Sequence, residues 1–255
     1  MKKIFYLIKL AVKFILRLVF GFVSGGENCV ICGKRTFVYP VCSGCRTSRM
    51  IINYDVPRCR ICGKELLSTK DTCFQCREKI VLKSIDKLFP LYSYRLWSKE
   101  LMFMWKSQEI RSLSLFFARI LNKVFKESGV EYIVPVPPRK GKIREKGWDQ
   151  IDELCSLLKY IYGFKVLELL ERRTTFEQKK LGREGRLEQI GRAYHLAPAA
   201  KIKSQLKPYG ISCPQEVYLL DDVCTTGSTL ESCAQILKEG LKIPKVNAIT
   251  LFTVD

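Results

Sequence analysis

The sequence predicts an α/β protein, a parallel sheet with flanking helices, preceded by a small metal-bound module and an amino-terminal amphipathic helix. Three observations carry this. From residue 132 onward short apolar runs alternate with segments of helical period: a strand at 132–136, a helix at 148–162, a strand at 166–170, then the run VYLL at 217–220 and a helix at 230–238 closed by Gly240. Such alternation implies parallel strands joined by right-handed crossovers. Eight of the twelve cysteines fall in four C-x-x-C pairs, and the first 25 residues set basic side chains among apolar ones at helical spacing. At 255 residues and 47% hydrophobic content the chain can bury a sizeable core, which disfavours disorder and suits three units at 1–25, 26–85 and 86–255.

In the first unit Lys2, Lys9, Lys13 and Arg17 recur at spacings of seven, four and four, one stripe of a helix otherwise built from Ile, Leu, Val and Phe. Those cations interrupt every apolar run of membrane-spanning length and are foreign to a cleavable signal. Three readings stay open: a helix lying on an anionic membrane surface, a helix docked on the protein, and a span whose terminal cations snorkel.

The cysteine pairs are Cys29/Cys32, Cys42/Cys45, Cys59/Cys62 and Cys73/Cys76, separated by 9, 13 and 10 residues. Two pairs per ion give two tetrahedral zinc sites, sequential pairing being the simplest order and interleaving the alternative. A disulfide framework would need an oxidising compartment, and no secretory signal is visible, so thiolates and a cytoplasmic address are expected. CVICGK and CRICGK make the module an internal repeat. Cys155 and Cys233 lie in helical patterns and read as small core residues, while Cys224 reads as a bystander thiol beside two acids.

Between module and sheet lies an aromatic-rich stretch leading into a helix at 113–125; Trp97, Phe103 and Trp105 read as packing residues, with base stacking as the alternative. After the strand at 132–136, Arg139, Lys140, Lys142, Arg144 and Lys146 crowd a loop in a manner suited to phosphate oxygens. Residues 171–192 are polar, basic and glycine-dotted, as a lid over a phosphate-rich ligand would be. His195, the only histidine, has no acid near it in sequence and reads as structural.

VYLLDDVCTTGSTLES at 217–232 carries the chemistry. Two acids and a hydroxyl-rich turn at the carboxyl end of a strand stand where open α/β sheets bind ligands. Gly227-Ser228-Thr229 lacks the lysine of a P-loop, which disfavours that mode of triphosphate hydrolysis. Backbone N–H groups at Thr225, Thr226, Gly227, Ser228 and Thr229 instead open a helix and suit a dianionic phosphate. Asp221 and Asp222 would repel that phosphate and suit sugar hydroxyls or a hydrated magnesium ion.

A ribose with a 5′-phosphate and a metal-bound diphosphate satisfies all these groups, and the segment resembles the phosphoribosyl pyrophosphate (PRPP) motif of type I phosphoribosyltransferases. IVPVP, Arg144-Glu145-Lys146-Gly147-Trp148-Asp149-Gln150, Arg173-Thr174, Gln178, Leu181, Arg186 and LLDDVCTTGST together resemble the ComF family over nearly the whole chain. The resemblance implies a type I phosphoribosyltransferase-like fold with a double zinc ribbon before it, and a part in DNA uptake during natural competence. It implies PRPP or ribose-phosphate contacts at Asp221, Asp222 and 225–229, with magnesium. Diphosphate contacts follow at Arg139, Lys140 and Arg144, and a lid at 172–190 bears Arg173, Gln178 and Arg186. Catalysis and ligand binding without turnover both fit. Two departures stand out: the family usually reads R-G-F-N-Q where this chain has Lys146-Gly147-Trp148-Asp149-Gln150, and an asparagine common after the lid arginine is absent from Arg186-Leu187-Glu188-Gln189.

Forty-four Lys and Arg against 25 Asp and Glu give a formal charge of +19, which calls for polyanionic partners. A non-catalytic zinc protein holding single-stranded DNA at the inner membrane is therefore the alternative reading. A competence helicase partner is an expectation of the resemblance alone.

Overall fold

A computed structural model describes residues 2–138, 147–172 and 193–254, apart from single positions at 24, 38, 53, 67, 69 and 79. Helix α1 (Lys2–Val23) precedes the cysteine module, which contains the short pair β1 (Glu27–Asn28) and β2 (Arg35–Thr36) and the one-turn helices α2 (Ser43–Ser48) and α3 (Phe74–Glu78). Then come β3 (Lys87–Ser93), α4 (Trp97–Lys106), α5 (Ser112–Glu127), β4 (Tyr132–Pro135), α6 (Gln150–Tyr160) and β5 (Lys165–Val166). The chain closes with β6 (Leu170–Arg172), β7 (Tyr194–Leu196), α7 (Ala199–Leu206), β8 (Glu216–Cys224), α8 (Ser228–Leu241) and β9 (Lys245–Thr253).

Five strands form one sheet in the order β3-β9-β8-β4-β5, every neighbouring pair parallel. Strand β9 is buried at eight of nine positions, the pattern of a strand covered on both faces. One face carries Ile133, Leu220 and Ile249 against α4, α5 and α6 through Trp105, Phe117, Leu121 and Leu158. Val134, Leu219 and Ala248 meet α7 and α8 on the other face through Ile202, Leu230 and Leu237. The cysteine module straddles the β3 edge: Cys29 and Cys45 join the first core, Cys59, Cys62 and Cys76 the second.

Several expectations shift in detail. The strand expected at 166–170 is two strands. Leu167 N still donates to Ile133 O, but Leu169 N turns back to Leu167 O, and β6 then leaves the sheet to pair antiparallel with β7. Gly240 lies inside α8 rather than closing it, and the helix ends at Leu241, capped by Lys242, whose φ is 57°. The glycine brings α8 close to β7: a Cβ would stand 2.6 Å from Leu196 Cδ1, and the leucine side chain would have to shift. Trp105 is fully buried and donates its indole N–H to Ser114 Oγ at 2.9 Å, a packing role, whereas Phe103 is exposed.

Among the described residues no helix is long and apolar enough to cross a membrane, which removes the spanning reading of α1. Tyr6 and Leu10 pack on the first core, Tyr6 with its ring 4.8 Å from that of Tyr160. Ile4, Phe5, Ile8, Ile15 and Phe20 stay exposed.

Candidate functional site

The crossover from β4 through α6 leads outward to β5, while that from β8 through α8 leads the opposite way to β9, on the other face. Strands β4 and β8 are neighbours, so the sheet has its topological switch point between them, and the crevice beyond their carboxyl ends is where ligands enter such folds. Both segments singled out in the sequence leave the sheet here.

Strand β8 runs farther than its apolar pattern implies. Asp221 is in register with Thr250, and Cys224 with Thr253, so both acids lie within the strand. Successive side chains therefore turn to opposite sides. Asp222, buried, meets Lys106 at the end of α4, with Nζ 2.6 Å from Oδ2. Asp221 instead faces Cys233 of α8 and Tyr194 of β7, whose thiol and phenol feel its charge. It keeps some exposed surface, yet the protein packed around its carboxyl and the neighbouring Asp222 push its pKa up to about 8. Its Oδ1 accepts from the Asp222 N–H at 2.8 Å.

Beyond the acids, Gly227 has φ 80° and α8 begins at Ser228. Thr225 and Thr226 are exposed, and Thr226 Oγ1 lies 2.9 Å from Ser228 Oγ. Thr229 lies near the phenol of Tyr194, which burial pushes up to about 12. The first turn of α8 thus presents backbone N–H groups and hydroxyls at the switch point. The positive φ calls for glycine at 227, and a Cβ there would stand 2.7 Å from Leu82 Cδ2, a side-chain end on the segment leaving the second cysteine cluster that would have to move aside. Glu231 reinforces that contact by accepting from Lys83 N and Ser84 N at 2.8 and 2.9 Å. Cys224 is buried, its thiol pushed up to about 11 by desolvation and Asp221, against the opposing charge of Lys64. A thiol so held is a poor nucleophile.

The cysteines gather sequentially: Cys29, Cys32, Cys42 and Cys45 in one cluster, Cys59, Cys62, Cys73 and Cys76 in the other, with all sulfurs of a cluster within 4.8 Å of one another. Cys32 and Cys42 Sγ are 3.6 Å apart, as are Cys62 and Cys73 Sγ. Ligands about 2.3 Å from a tetrahedral zinc would stand at nearly this separation. Backbone N–H groups support the thiolates, from Cys42 N to Cys29 Sγ and from Cys73 N to Cys59 Sγ, both 3.3 Å. Against the opposing effect of burial, such bonds hold Cys29 down at about 6 and Cys59 at about 7. Both clusters can hold zinc.

Other expected site residues fall elsewhere. Arg139, Lys140, Arg144, Arg173, Gln178 and Arg186 lie outside the described residues. His195 sits in β7, paired across from Glu171.

No family model matches the chain. It is 26% identical over 201 residues to the competence protein ComFC of Streptococcus pneumoniae, an alignment covering 78% of this chain and 81% of the relative. To competence protein F of Haemophilus influenzae it is 27% identical over 208 residues, covering 78% of this chain and 84% of the relative. Together these relatives support membership of the ComF family.

One departure from the ComF pattern gains a physical reading from the fold. Asp149, where the pattern has asparagine, is the N-cap of α6, its Oδ1 accepting from Ile151 N at 2.9 Å and Asp152 N at 3.2 Å. Asparagine and aspartate cap equally well, so the exchange preserves the start of this helix. Lys106 and Glu231 were missed by sequence reasoning. Each acts through a contact distant in the chain, and neither stands in a motif.

Proposed function

We propose that the chain binds PRPP or a related ribose 5-phosphate ligand, with magnesium, at the β4–β8 switch point, and acts in DNA uptake during natural competence. The observation that carries the ligand is the junction of β8 and α8: two carboxylates near the carboxyl end of a strand, followed after Cys224 by a turn through Gly227 and a helix start rich in N–H and hydroxyl donors. The names of the two relatives support the competence role.

Thr225 to Thr229 would hold the 5′-phosphate, and Asp221 and Asp222 the ribose hydroxyls or metal-bound waters. Asp221 and Asp222 turn to opposite faces of β8, so a hydrated dication would be reached by Asp222, whose carboxylate already draws a cation, Lys106, to 2.6 Å, and by Asp221 only through bound water. Magnesium supplies charge stabilisation for a departing diphosphate. Lys106 would orient the Asp222 carboxylate, and Cys224 remains a spectator. Should turnover occur, the reaction needs no side-chain nucleophile, since the ribosyl centre passes through an oxocarbenium-like state. The loop after β4, with Arg139, Lys140 and Arg144, would stabilise the leaving charge, and the lid with Arg173, Gln178 and Arg186 would exclude water.

Calorimetric titration of the zinc-loaded protein with PRPP and magnesium tests this. Saturable binding is expected in the wild type, with loss of at least tenfold in affinity in Asp221→Asn/Asp222→Asn. Equal binding by both proteins would place the ligand elsewhere, and binding by neither would end the reading.

A further inference from the structure

A cavity of about 620 Å³ opens at the amino ends of the strands, at the other end of the sheet from the switch point. Its floor is a row of residues in register across three strands, Lys87 of β3, Asn247 of β9 and Tyr218 of β8, with Phe89 and Ile249 in the row behind. All five turn to the face that carries α5. Lys123 and Glu127 wall the cavity from the last turns of α5, and Tyr54 from the segment between the two knuckles. Tyr218 stands four residues before Asp222 in β8, about 13 Å along a strand, so this place is separate from the ribose site. Its volume falls in the range of small-ligand pockets, about 300 to 1,000 Å³.

Three chemistries meet in the lining. Rings come from Tyr54, Phe89 and Tyr218, and those of Tyr54 and Phe89 lie 8° from parallel with centroids 5.7 Å apart. Tyr54 is fixed there by its hydroxyl, which donates to Glu127 Oε2 at 2.7 Å, and the segment before it by Tyr92 Oη, which donates to Met50 O at 3.0 Å. Aromatic walls of this kind take up planar bases. Charge comes from Lys87 and Lys123, both exposed, against one carboxylate, Glu127, 3.8 Å from Lys123 Nζ. Two ammoniums to one carboxylate suit a single phosphate group better than a polyanionic strand lying across Glu127. The third element is the Asn247 amide, 2% exposed. Its Nδ2 donates to Glu216 Oε1, and its Oδ1, which diverges from that bond, has no hydrogen-bond partner among the described residues. Buried acceptors are rarely left so, and the amino group of a base is the donor that would complete it.

We propose that this cavity binds a free nucleoside 5′-monophosphate with an amino-bearing base. The base lies among the rings with its amino group toward Asn247 Oδ1, and the phosphate meets Lys87 and Lys123. The proposal stands independently of the ribose-phosphate reading, because the two sites share no residue.

The zinc-loaded full chain carrying Asp221→Asn/Asp222→Asn, which removes the acids that would hold a ribose 5-phosphate at the switch point, is titrated with adenosine 5′-monophosphate by calorimetry. Saturable binding is expected, weaker by at least tenfold when Lys87→Met/Lys123→Met is added. Both lysines are exposed, so these substitutions leave the melting temperature unchanged and a lost contact is told apart from a folding defect. Affinity falls several-fold with Tyr54→Leu, and several-fold again for purine riboside 5′-monophosphate, which lacks the amino group. Photolabelling of the wild type with 8-azidoadenosine 5′-monophosphate marks the peptide that holds Tyr54. Label at 225–229 without label at Tyr54 assigns the nucleotide to the switch point and overturns the proposal. So does binding that Lys87→Met/Lys123→Met leaves intact, or no binding at all, and displacement of the nucleotide by an oligodeoxynucleotide without terminal phosphates replaces the free nucleotide with a strand.

Discussion

The two cysteine knuckles share a frame, C-x-I-C-G-K, and a local fold. Cys29 N donates to Lys34 O and Gly33 N to Cys29 O, and Cys59 N and Gly63 N repeat both bonds with Lys64 O and Cys59 O, all between 2.7 and 2.9 Å. Their surroundings differ. Around Gly33 there is open space, and Cys32 and Lys34 are exposed. A Cβ on Gly63 would stand 2.0 Å from Leu88 O, and Cys62 and Lys64 are buried. The first knuckle marks the margin of one core, and the second is wedged between β3 and the face that carries α8. Local sequence sets the turn, and tertiary position decides what the turn is for.

The largest effect expected from breaking this difference is loss of metal. Structural zinc contributes on the order of 10 kcal/mol to such modules, so Cys59→Ser/Cys62→Ser and Cys29→Ser/Cys32→Ser should each lower the melting temperature by about 10 °C or more. Only the first pair should also release hydrogen-exchange protection in the opening turn of α8, through Leu82 and Glu231. Equal loss of protection in both variants would dissolve the distinction. Next come the glycines. Both have positive φ, at 73° and 68°, so alanine at either costs about 1–2 kcal/mol of strain. The clash with Leu88 O should bring Gly63→Ala to about 3–5 kcal/mol in denaturant melts, while Gly33→Ala stays at the lower figure. Glu231→Gln should be the mildest, costing about 1–2 kcal/mol through weakened bonds to Lys83 N and Ser84 N, with both knuckles keeping their zinc.

What the sequence shows plainly is whatever depends on neighbours in the chain. The apolar run of β8, the turn after it and the cysteine spacing are of this kind; the parallel sheet and two four-cysteine sites follow from them, while the spacing left the pairing order open and the fold makes it sequential. The reach of β8 through Asp222 to Cys224 was hidden, because it depends on register with Thr250 and Thr253 of β9. So was the helical place of Gly240, a glycine that resembles a terminator until Leu196 is seen against it. Lys106 and Glu231 were beyond any local pattern. Lysines and glutamates crowd this chain, and only folding shows which of them meet Asp222 or the strand-leading backbone at Ser84.

Among the described residues strand β3 has one neighbour in the sheet, β9, which lies far along the chain from it. During synthesis β3 emerges early and waits, its backbone unpaired, until residues 245–253 leave the ribosome. The second knuckle, leaning on Leu88 through Gly63, waits with it. Closing contacts so distant in sequence is slow and leaves apolar strand edges uncovered meanwhile. A chain cut short before Lys245 would lose the strand that joins β3 to the rest of the sheet, so a ribosome-released fragment of that kind would hold its amino-terminal third without an anchor.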